Sequence, residues 1–492
     1  MVEDKTINLM QNRIIKNLDL SKVDILFINP PSPDRYIYIR DINRSGRRSK
    51  EREIWPQTSL AYLAAMVREK YSVGLIDCIA EEMDWVSFKD YLLQRKPRYI
   101  AFNIISSIIT NDIYTAYLAK TIGAITIGLG PHVTELPMET LKRYPPLDLI
   151  IRNEAEATIL ELIDCCEHSG DLSQVRGVAW RKGLNEFQVN PDRPFIEDLD
   201  VLPIPAHDLL PIKKYRLPIV GNNFTFILTG RGCPFQCSFC RQMIMWKYNV
   251  RLRSAESIFQ EMEYLSKKLG VNNYLFHSDT FTINRNIVIE LCKKIVNAKL
   301  PIRWMCNGRV DTIDEEMLQW MKKAGCYMIA YGLESGSQKI LDAVEKGFNI
   351  SQSVEAVKLT KKNGIKVWGY FVIGLPGENK ETINETIKFS KSLPLDYVNF
   401  SIGTPYPGTR FYNQAKENRW LKSDNCEDFD QNYSAIVDYP NFSSKDIEKA
   451  ATTTAEYFQN TDQVATALGL IKSRAPGAFS GFSKSLDKGI AD

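Results

Sequence analysis

Apolar and polar positions follow two alternating periods along most of the chain. The run VDILFIN (23–29) is short, apolar and ended by the breakers PPSP, whereas TSLAYLAAMVREKY (58–71) has the periodicity of an amphipathic helix. This strand-then-helix unit recurs, with further strands predicted at YSVGLIDC, RYIAFNII, AITIGLG and LDLIIRN. Repeated units of this kind predict an α/β fold with a doubly wound, Rossmann-like parallel sheet over residues 23–170, which binds ligands at the carboxyl ends of its strands.

The pattern breaks after this sheet and then resumes. Residues 171–220 contain a predicted hairpin, turning at 182–185, and a Pro-rich stretch, so they are predicted to be a linker. From NFTFILTGRG to YVNFSIGTPYPG, about six more strand–helix units predict a whole or partial (β/α)6 barrel of the TIM type over residues 221–410. Enzymes with such barrels work at the rim formed by the carboxyl ends of the strands.

Composition fits a soluble protein of two or three domains. The chain has 492 residues, of which 44% are hydrophobic and 25% charged, and its formal net charge of +3 gives no sign of nucleic-acid binding. The N-terminus lacks the apolar region of a signal peptide, and no stretch approaches about 18 uninterrupted apolar residues, so we expect a cytoplasmic protein without a membrane span. Residues 1–22 are predicted to be an N-terminal extension, and 411–492 a small C-terminal cap domain with a Gly/Ser-rich tail.

Three of the ten cysteines lie in the stretch TGRGCPFQCSFCRQ, directly after the first predicted barrel strand. Ten irregularly spaced cysteines do not indicate a disulfide scaffold, so the triplet Cys233, Cys237 and Cys240 is predicted to bind a metal or to be catalytic. A structural zinc site needs four ligands, and only His277 or Cys306 on a neighbouring strand is a candidate to complete one. On a cubic iron–sulfur cluster, in contrast, three thiolates bind three irons and leave the fourth iron open.

The order C-x3-C-x2-C, with Phe239 before the last cysteine, resembles the motif of the radical S-adenosylmethionine (radical SAM) enzymes. The resemblance implies that the three cysteines bind a [4Fe-4S] cluster whose open iron chelates S-adenosylmethionine. It also implies an external one-electron reductant, such as flavodoxin or ferredoxin, and release of a 5′-deoxyadenosyl radical. The rim segments FHSDTFT, CNGRVD, YGLESG and FVIGLPGE are similar to the family's contacts with S-adenosylmethionine. The contact residues implied in this way are Phe239, Ser278, Asp279, Asn307, Arg309, Glu334 and Gly374.

The N-terminal domain resembles the cobalamin-binding domain of one large subclass of these enzymes, through LFINPP, NIISSIIT, IGLGPHVT and IIRNEAEATILEL. The corrinoid contacts implied by the resemblance are Ser106, Ser107, Gly128, Gly130, His132, Asn153, Glu154 and Glu156. The chain departs from the pattern in that the Asp-x-His-x-x-Gly signature is absent, which implies a cobalt without protein imidazole. Leu129 and Asn153 also stand where glycine is usual, which puts the shape of the pocket in doubt.

This combination implies a cobalamin-dependent methyltransferase that methylates an unactivated carbon through the 5′-deoxyadenosyl radical and methylcobalamin, in a dry cavity between sheet and rim. A ring-closing or ring-rearranging enzyme of the same architecture is the alternative, and a non-catalytic corrinoid or redox sensor is a further one. A methylthiotransferase would need three more cysteines in the N-terminal domain, where only Cys78, Cys165 and Cys166 occur. The substrate, a small molecule or a protein segment, does not follow from the sequence.

Two segments are expected to select the substrate: the cap after residue 410 and the basic segment 35–53, predicted to be a loop over the cavity. Its positive charge would attract an acidic or phosphorylated substrate, or would simply form a solvated surface. The aromatic residues expected to line the cavity or to belong to the core are Trp55, Trp246, Tyr248, Tyr331, Tyr370 and Tyr406.

Overall fold

The structure is a computed structural model that describes residues 23–33, 36–41, 44–49, 53–183, 185–217 and 220–459. The predicted extension at 1–22 and the part of the predicted cap and tail beyond residue 459 lie outside these residues. Among the described helices, none combines the length and the apolar character needed to cross a membrane.

The N-terminal half is built on one large sheet and one small hairpin. The strands are β1 (Ile25–Asn29), β2 (Tyr38–Asp41), β3 (Arg44–Arg48), β4 (Val73–Asp77), β5 (Tyr99–Asn103), β6 (Ile125–Leu129), β7 (Leu149–Ile151), β8 (Val178–Arg181) and β9 (Phe187–Val189). In the large sheet the order is β4–β1–β5–β6–β7–β8–β9, and the first five run parallel. The parallel part has the order of a doubly wound flavodoxin-like sheet, with its switch point between β1 and β5, so the predicted Rossmann-like domain is confirmed.

Both faces of this sheet are covered because its strands are apolar at consecutive positions. Ile25 and Phe27 of β1 belong to one core, and Leu26 and Ile28 to the other. The helices on the two faces and in the loops are α1 (Thr58–Val67), α2 (Trp85–Arg95), α3 (Ile109–Lys120), α4 (Pro131–Glu135), α5 (Pro137–Arg143) and α6 (Glu156–Glu167). The loops that follow the parallel strands therefore lie together at one edge of the sheet.

The hairpin predicted within the linker forms, but it extends the N-terminal sheet. β8 pairs antiparallel with β7, and β9 pairs with β8, so this sheet reaches residue 189 instead of ending at the predicted boundary of 170. The Pro-rich stretch that follows runs through short 3-10 turns. In one of these turns, His207 Nε2 lies 2.8 Å from Glu261 Oε1, with both side chains fully buried. This stretch therefore packs onto the second domain.

The second half contains the predicted partial barrel. Its strands are β10 (Arg216–Leu217), β11 (Gly221–Asn222), β12 (Thr225–Leu228), β13 (Gly230–Arg231), β14 (Arg251–Leu252), β15 (Asn273–His277), β16 (Arg303–Gly308), β17 (Cys326–Glu334), β18 (Lys366–Ile373) and β19 (Tyr397–Ile402). β12 and β15 to β19 pair in chain order, all parallel, with β12 and β19 at opposite ends. The prediction of a partial (β/α)6 barrel is confirmed.

Side-chain caps start most of the helices that follow these strands. The helices are α7 (Gln242–Trp246), α8 (Ala255–Leu269), α9 (Arg285–Ala298), α10 (Glu315–Lys323), α11 (Gln338–Ala343), α12 (Ile350–Lys362), α13 (Lys380–Ser392), α14 (Arg410–Glu417) and α15 (Ser444–Gln459). The cap side chains that accept a backbone N–H are Ser254, Asn284, Asp314, Asn349, Asn379 and Thr409. Each cap fixes where a rim loop ends and its helix begins.

Candidate active site

The cysteine loop is closed at its base by a short strand pair. β13 pairs antiparallel with β14, so that residues 232–250 form a loop on the rim. Gly232 begins this loop with a φ of +86°, and a Cβ added there would lie 1.9 Å from the carbonyl oxygen of Asn249. Its N–H donates to Asp279 Oδ2 at 3.0 Å, which connects the loop to the rim after β15. Only glycine fits this position without a backbone shift.

The three loop cysteines line one cavity of about 400 Å³. Their donor chemistry fits the implied cluster, because such a cluster is bound by three cysteine thiolates around one cavity, each on a different iron. Within the described residues, no three His, Cys, Asp or Glu side chains are grouped to hold a single metal ion. Burial raises the pKa of the Cys240 thiol to about 12 and also raises that of Cys233. Metal binding to these thiolates must therefore release protons.

The two residues considered for completing a zinc site lie in different surroundings. Cys306 is fully buried in the barrel core, and its thiol lies beside that of Cys326. His277 lines the cavity, but its ring stacks on Phe226 with 4.9 Å between the ring centroids. The structure thus offers no reason to add either residue to the cysteine triplet.

Most of the residues implied for S-adenosylmethionine meet in the wall of the same cavity. These are Phe239, Asp279, Asn307, Arg309 and Glu334. Ser278 is buried beside them, and its carbonyl oxygen accepts a hydrogen bond of 3.4 Å from the Asn307 side chain. Gly374 packs differently: a Cβ there would lie 2.8 Å from Ile447 of α15, and its carbonyl oxygen accepts a hydrogen bond from the Tyr439 hydroxyl. The cap therefore covers Gly374.

The charged groups of this wall are paired with each other. Arg309 binds Asp311 through two nitrogens, at 2.8 and 3.0 Å, and its guanidinium lies 3.4 Å from the centroid of the Phe235 ring. Lys346 Nζ donates to Glu334 Oε1 at 2.7 Å. Burial opposes the charge of Lys346, but the Glu334 carboxylate and the nearby Cys237 together raise the pKa of the lysine. Lys346 was not predicted from the sequence, because this residue follows a short helix, whereas the predicted contacts follow strands.

At the carboxyl edge of the N-terminal sheet, the loops after β5 and β6 come together. Ser106 Oγ lies 3.1 Å from His132 Nδ1, and both residues are buried. Burial, together with the positive charge of Arg241, lowers the pKa of His132 to about 3, so this imidazole is neutral. Ser107 Oγ is buried, with no hydrogen-bond partner among the described residues. Such an orphaned hydroxyl fits a corrinoid contact.

The glycines of this edge allow close backbone approach. Gly130 has a φ of +113°, and a Cβ there would lie 3.0 Å from the carbonyl oxygen of Ile104. A Cβ on Gly128 would lie 2.8 Å from the Ile104 side chain. Pro131, which follows Gly130 in the chain, lines the cavity that contains the cysteines. The edge predicted for cobalamin thus borders the predicted cluster site.

The residues after β7, which the resemblance implies as corrinoid contacts, have partners within the protein. Asn153 has a left-handed backbone with φ of +59°, and its N–H donates to Thr134 Oγ1 at 3.1 Å. Glu154 accepts hydrogen bonds from Arg231 at 2.6 Å and from Arg251 at 2.7 Å, while Glu156 binds Arg231. All four side chains of this network are at most 4% exposed. The two carboxylates thus join the N-terminal domain to the base of the cysteine loop.

The basic segment is a hairpin within the described residues, not the predicted loop. β2 pairs with β3, and Arg40 of β2 is fully buried, donating to Asp112 at 2.8 Å and to the Pro30 carbonyl oxygen at 3.0 Å. This guanidinium therefore stabilises the N-terminal domain and is not solvated.

Arg47 of β3 does line the cavity, as do Trp55, Tyr370 and Tyr406. Of the other aromatic candidates, Trp246 and Tyr331 are buried, and the Tyr248 hydroxyl contacts Met243 Sδ.

Comparison with known proteins agrees with this geometry. The Radical SAM superfamily profile matches residues 227–390. An uncharacterized methyltransferase of Pyrococcus horikoshii is 35% identical over 397 residues, which cover 80% of this chain and 85% of that protein. The anaerobic magnesium-protoporphyrin IX monomethyl ester cyclase of Rubrivivax gelatinosus is 30% identical, covering 73% of this chain and 66% of the cyclase.

A solved structure has the same fold. It is the radical S-adenosylmethionine methyltransferase TsrM of Kitasatospora setae, with cobalamin and a [4Fe-4S] cluster bound. Its TM-score is 0.65 at 17% identity, and the match covers 80% of this chain and 74% of TsrM. The two-domain arrangement of sheet and partial barrel is therefore shared with that enzyme.

Proposed function

This chain belongs to the radical SAM superfamily, and we propose that it is a cobalamin-dependent methyltransferase acting on an unactivated carbon. The observation that carries the proposal is the shared cavity. Its wall contains the three loop cysteines, five of the residues implied for S-adenosylmethionine, and Pro131 from the sheet edge implied for cobalamin. A methyl donor, a radical source and a substrate carbon would thus meet in one enclosed space.

When bound, the cluster and S-adenosylmethionine supply a substrate radical, and cobalamin supplies the methyl group. The chain's own residues bind and orient these groups. Cys233, Cys237 and Cys240 would hold the cluster, while Asp279 and Glu334, which line the same cavity, would accept hydrogen bonds from S-adenosylmethionine. Ser107 and the backbone around Gly130 would contact the corrinoid. Filling of the cavity by the cofactors and the substrate would exclude water, which would protect a carbon radical from quenching.

Two further parts of the proposal concern the surroundings of the enzyme. We propose a cytoplasmic location, which is supported by ten cysteines, all within the described residues, of which none forms a disulfide. An external one-electron donor such as flavodoxin or ferredoxin would reduce the cluster. The methyl-accepting substrate is a small molecule or a protein segment.

A ring-forming or ring-rearranging enzyme is the second candidate, favoured by the similarity to the cyclase of Rubrivivax gelatinosus. The two functions differ in the fate of the methyl group of S-adenosylmethionine. The test uses reduced protein, loaded with cluster and cobalamin, and S-adenosylmethionine carrying a deuterated methyl group. Label that moves onto the cobalamin, and from there into product, supports methyl transfer. Turnover in which neither the cobalamin nor the product carries the label supports the second candidate.

A further inference from the structure

Arg241 differs from the other cationic residues of the cavity wall. Arg309 and Lys346 each have a carboxylate at 2.8 Å or less, and Arg47 has Glu53 at 3.7 Å. In the part of the chain that the structure describes, no carboxylate lies within the 4.0 Å ion-pair limit of Arg241, and its buried Nε has no hydrogen-bond partner. Arg241 is partly buried, and a cation on a cavity wall that has no carboxylate partner is available to bind an anion.

The contacts of Arg241 fix its position without neutralising it. Its guanidinium carbon lies 4.6 Å from the centroid of the Tyr406 ring. The ionisable groups near it are Tyr406 in the loop after β19, Cys426 of the cap and Glu135 of the N-terminal domain. Glu135, the carboxylate among them, is exposed. Arg241 therefore lies where the cap and the N-terminal domain approach the cavity.

The residue next to Arg241 also belongs to the cavity wall. Gln242 lines the cavity, and its side-chain amide has N–H donors for an anion. The amides of Gln431 and Asn432 lie in the wall of the same cavity. A guanidinium and side-chain amides in one cavity wall provide the donors that a carboxylate or a phosphate accepts from.

We propose that Arg241 and Gln242 bind a carboxylate or phosphate group of the methyl-accepting substrate. This inference rests on the proposed function and adds a chemical class to it: the substrate is an anion. Its charge would pair with the guanidinium, and the contact would orient the carbon to be methylated.

The test measures binding, so it does not depend on turnover. Full-length protein, loaded anaerobically with cluster, cobalamin and S-adenosylmethionine, is titrated with phenyl phosphate, benzoate and the neutral analogue benzamide. The variants are Arg241→Gln, Arg241→Lys, and Arg68→Gln as a control whose exposed side chain pairs with Asp208. Cluster absorbance and cobalamin content establish that each variant is folded, and Arg241→Lys keeps the charge should the glutamine variant fail to fold.

We expect the wild type to bind at least one anionic probe more tightly than benzamide, and Arg241→Gln to lose roughly 10- to 100-fold in that affinity. The lysine variant should lose less, and Arg68→Gln nothing. Equal affinity of the wild type and Arg241→Gln, or no preference of the wild type for an anion, would overturn the inference. It would also be overturned if Arg241→Gln weakened the binding of cobalamin but not of cobinamide, which lacks the nucleotide phosphate. Failure of the label-transfer experiment with anion binding intact would contradict the proposed function alone.

Discussion

The barrel rim and the carboxyl edge of the N-terminal sheet both carry polar residues after parallel strands, but they use them differently. On the rim, Asp279 and Glu334 line the shared cavity. On the sheet edge, Glu154 and Glu156 face Arg231 and Arg251 of the other domain. A strand end thus determines where a side chain lies, and the nearest opposite charge determines what it binds.

The difference has a physical cause in the packing of the domains. The carboxylates after β7 are the ones that meet the arginines of β13 and β14. Because an unpaired buried arginine costs several kcal/mol, these carboxylates stabilise the interface before any ligand arrives. The rim carboxylates also have partners, Gly232 for Asp279 and Lys346 for Glu334, but they line the cavity, where a ligand can compete for them.

The largest effect on activity is expected from the three cysteines on the barrel rim. Replacing Cys233, Cys237 or Cys240 with Ala should abolish cluster absorbance and turnover, because each removes one of three iron ligands. Cobalamin binding should persist, since the sheet edge is unchanged. Iron content, turnover and cobalamin titration measure the three effects, and turnover without the cluster would contradict the assignment.

The next effect separates an interface role from a ligand role at the sheet edge. Glu154→Gln leaves Arg251 without a carboxylate and should lower the free energy of unfolding by about 3–5 kcal/mol. Glu345→Gln, which breaks the exposed pair with Arg410, should cost less than about 1 kcal/mol. Denaturant unfolding compares the two variants. Weaker cobalamin binding by Glu154→Gln without a loss of stability would restore the corrinoid role of this residue.

A smaller effect tests the base of the cysteine loop. Gly232→Ala should lower the free energy of unfolding by roughly 2–3 kcal/mol and reduce iron content, because it adds strain at positive φ to a clash with the Asn249 carbonyl. Gly270→Ala is the matched control: its φ is +65°, and a Cβ there would meet no atom within 4 Å. It should cost about 1 kcal/mol and leave iron content unchanged. Equal iron content in both variants would show that the cysteine loop still holds the cluster after the backbone shift caused by Gly232→Ala.

The smallest effect is expected at Ser107. Ser107→Ala should weaken cobalamin binding by roughly 3- to 10-fold, since it removes one neutral hydrogen-bonding group and leaves the fold intact. Ser173→Ala, in an exposed turn, serves as the control. Spectroscopic titration with cobalamin measures both variants, and unchanged affinity in Ser107→Ala would remove this residue from the corrinoid site.

The sequence was most informative where a local pattern fixes the geometry. The strand–helix repeats predicted both sheets, and the spacing of the cysteines placed them on the rim because the preceding strand ends there. Ser106 and His132 were predicted at one edge, and they meet at 3.1 Å. These outcomes follow from the parallel topology alone.

Contacts between distant segments were not predictable in the same way. The cover of Gly374 by Ile447 and the pairing of Glu154 with Arg251 join residues that no short motif connects. The hairpin β8–β9 was predicted, but its attachment to β7 depends on the free edge of the folded sheet. Lys346 carried no signal, because its pairing with Glu334 depends on the path of the chain after α11.

The central claim is that three cysteines hold a cluster with an open iron beside a bound corrinoid. Its most direct test is a count of iron, sulfide and cobalt in protein purified under strict exclusion of oxygen. We predict about four irons and four sulfides for each chain, with one cobalt after loading with cobalamin. Protein that contains no iron–sulfur centre, or a single metal ion fully bound by protein side chains, would contradict the account.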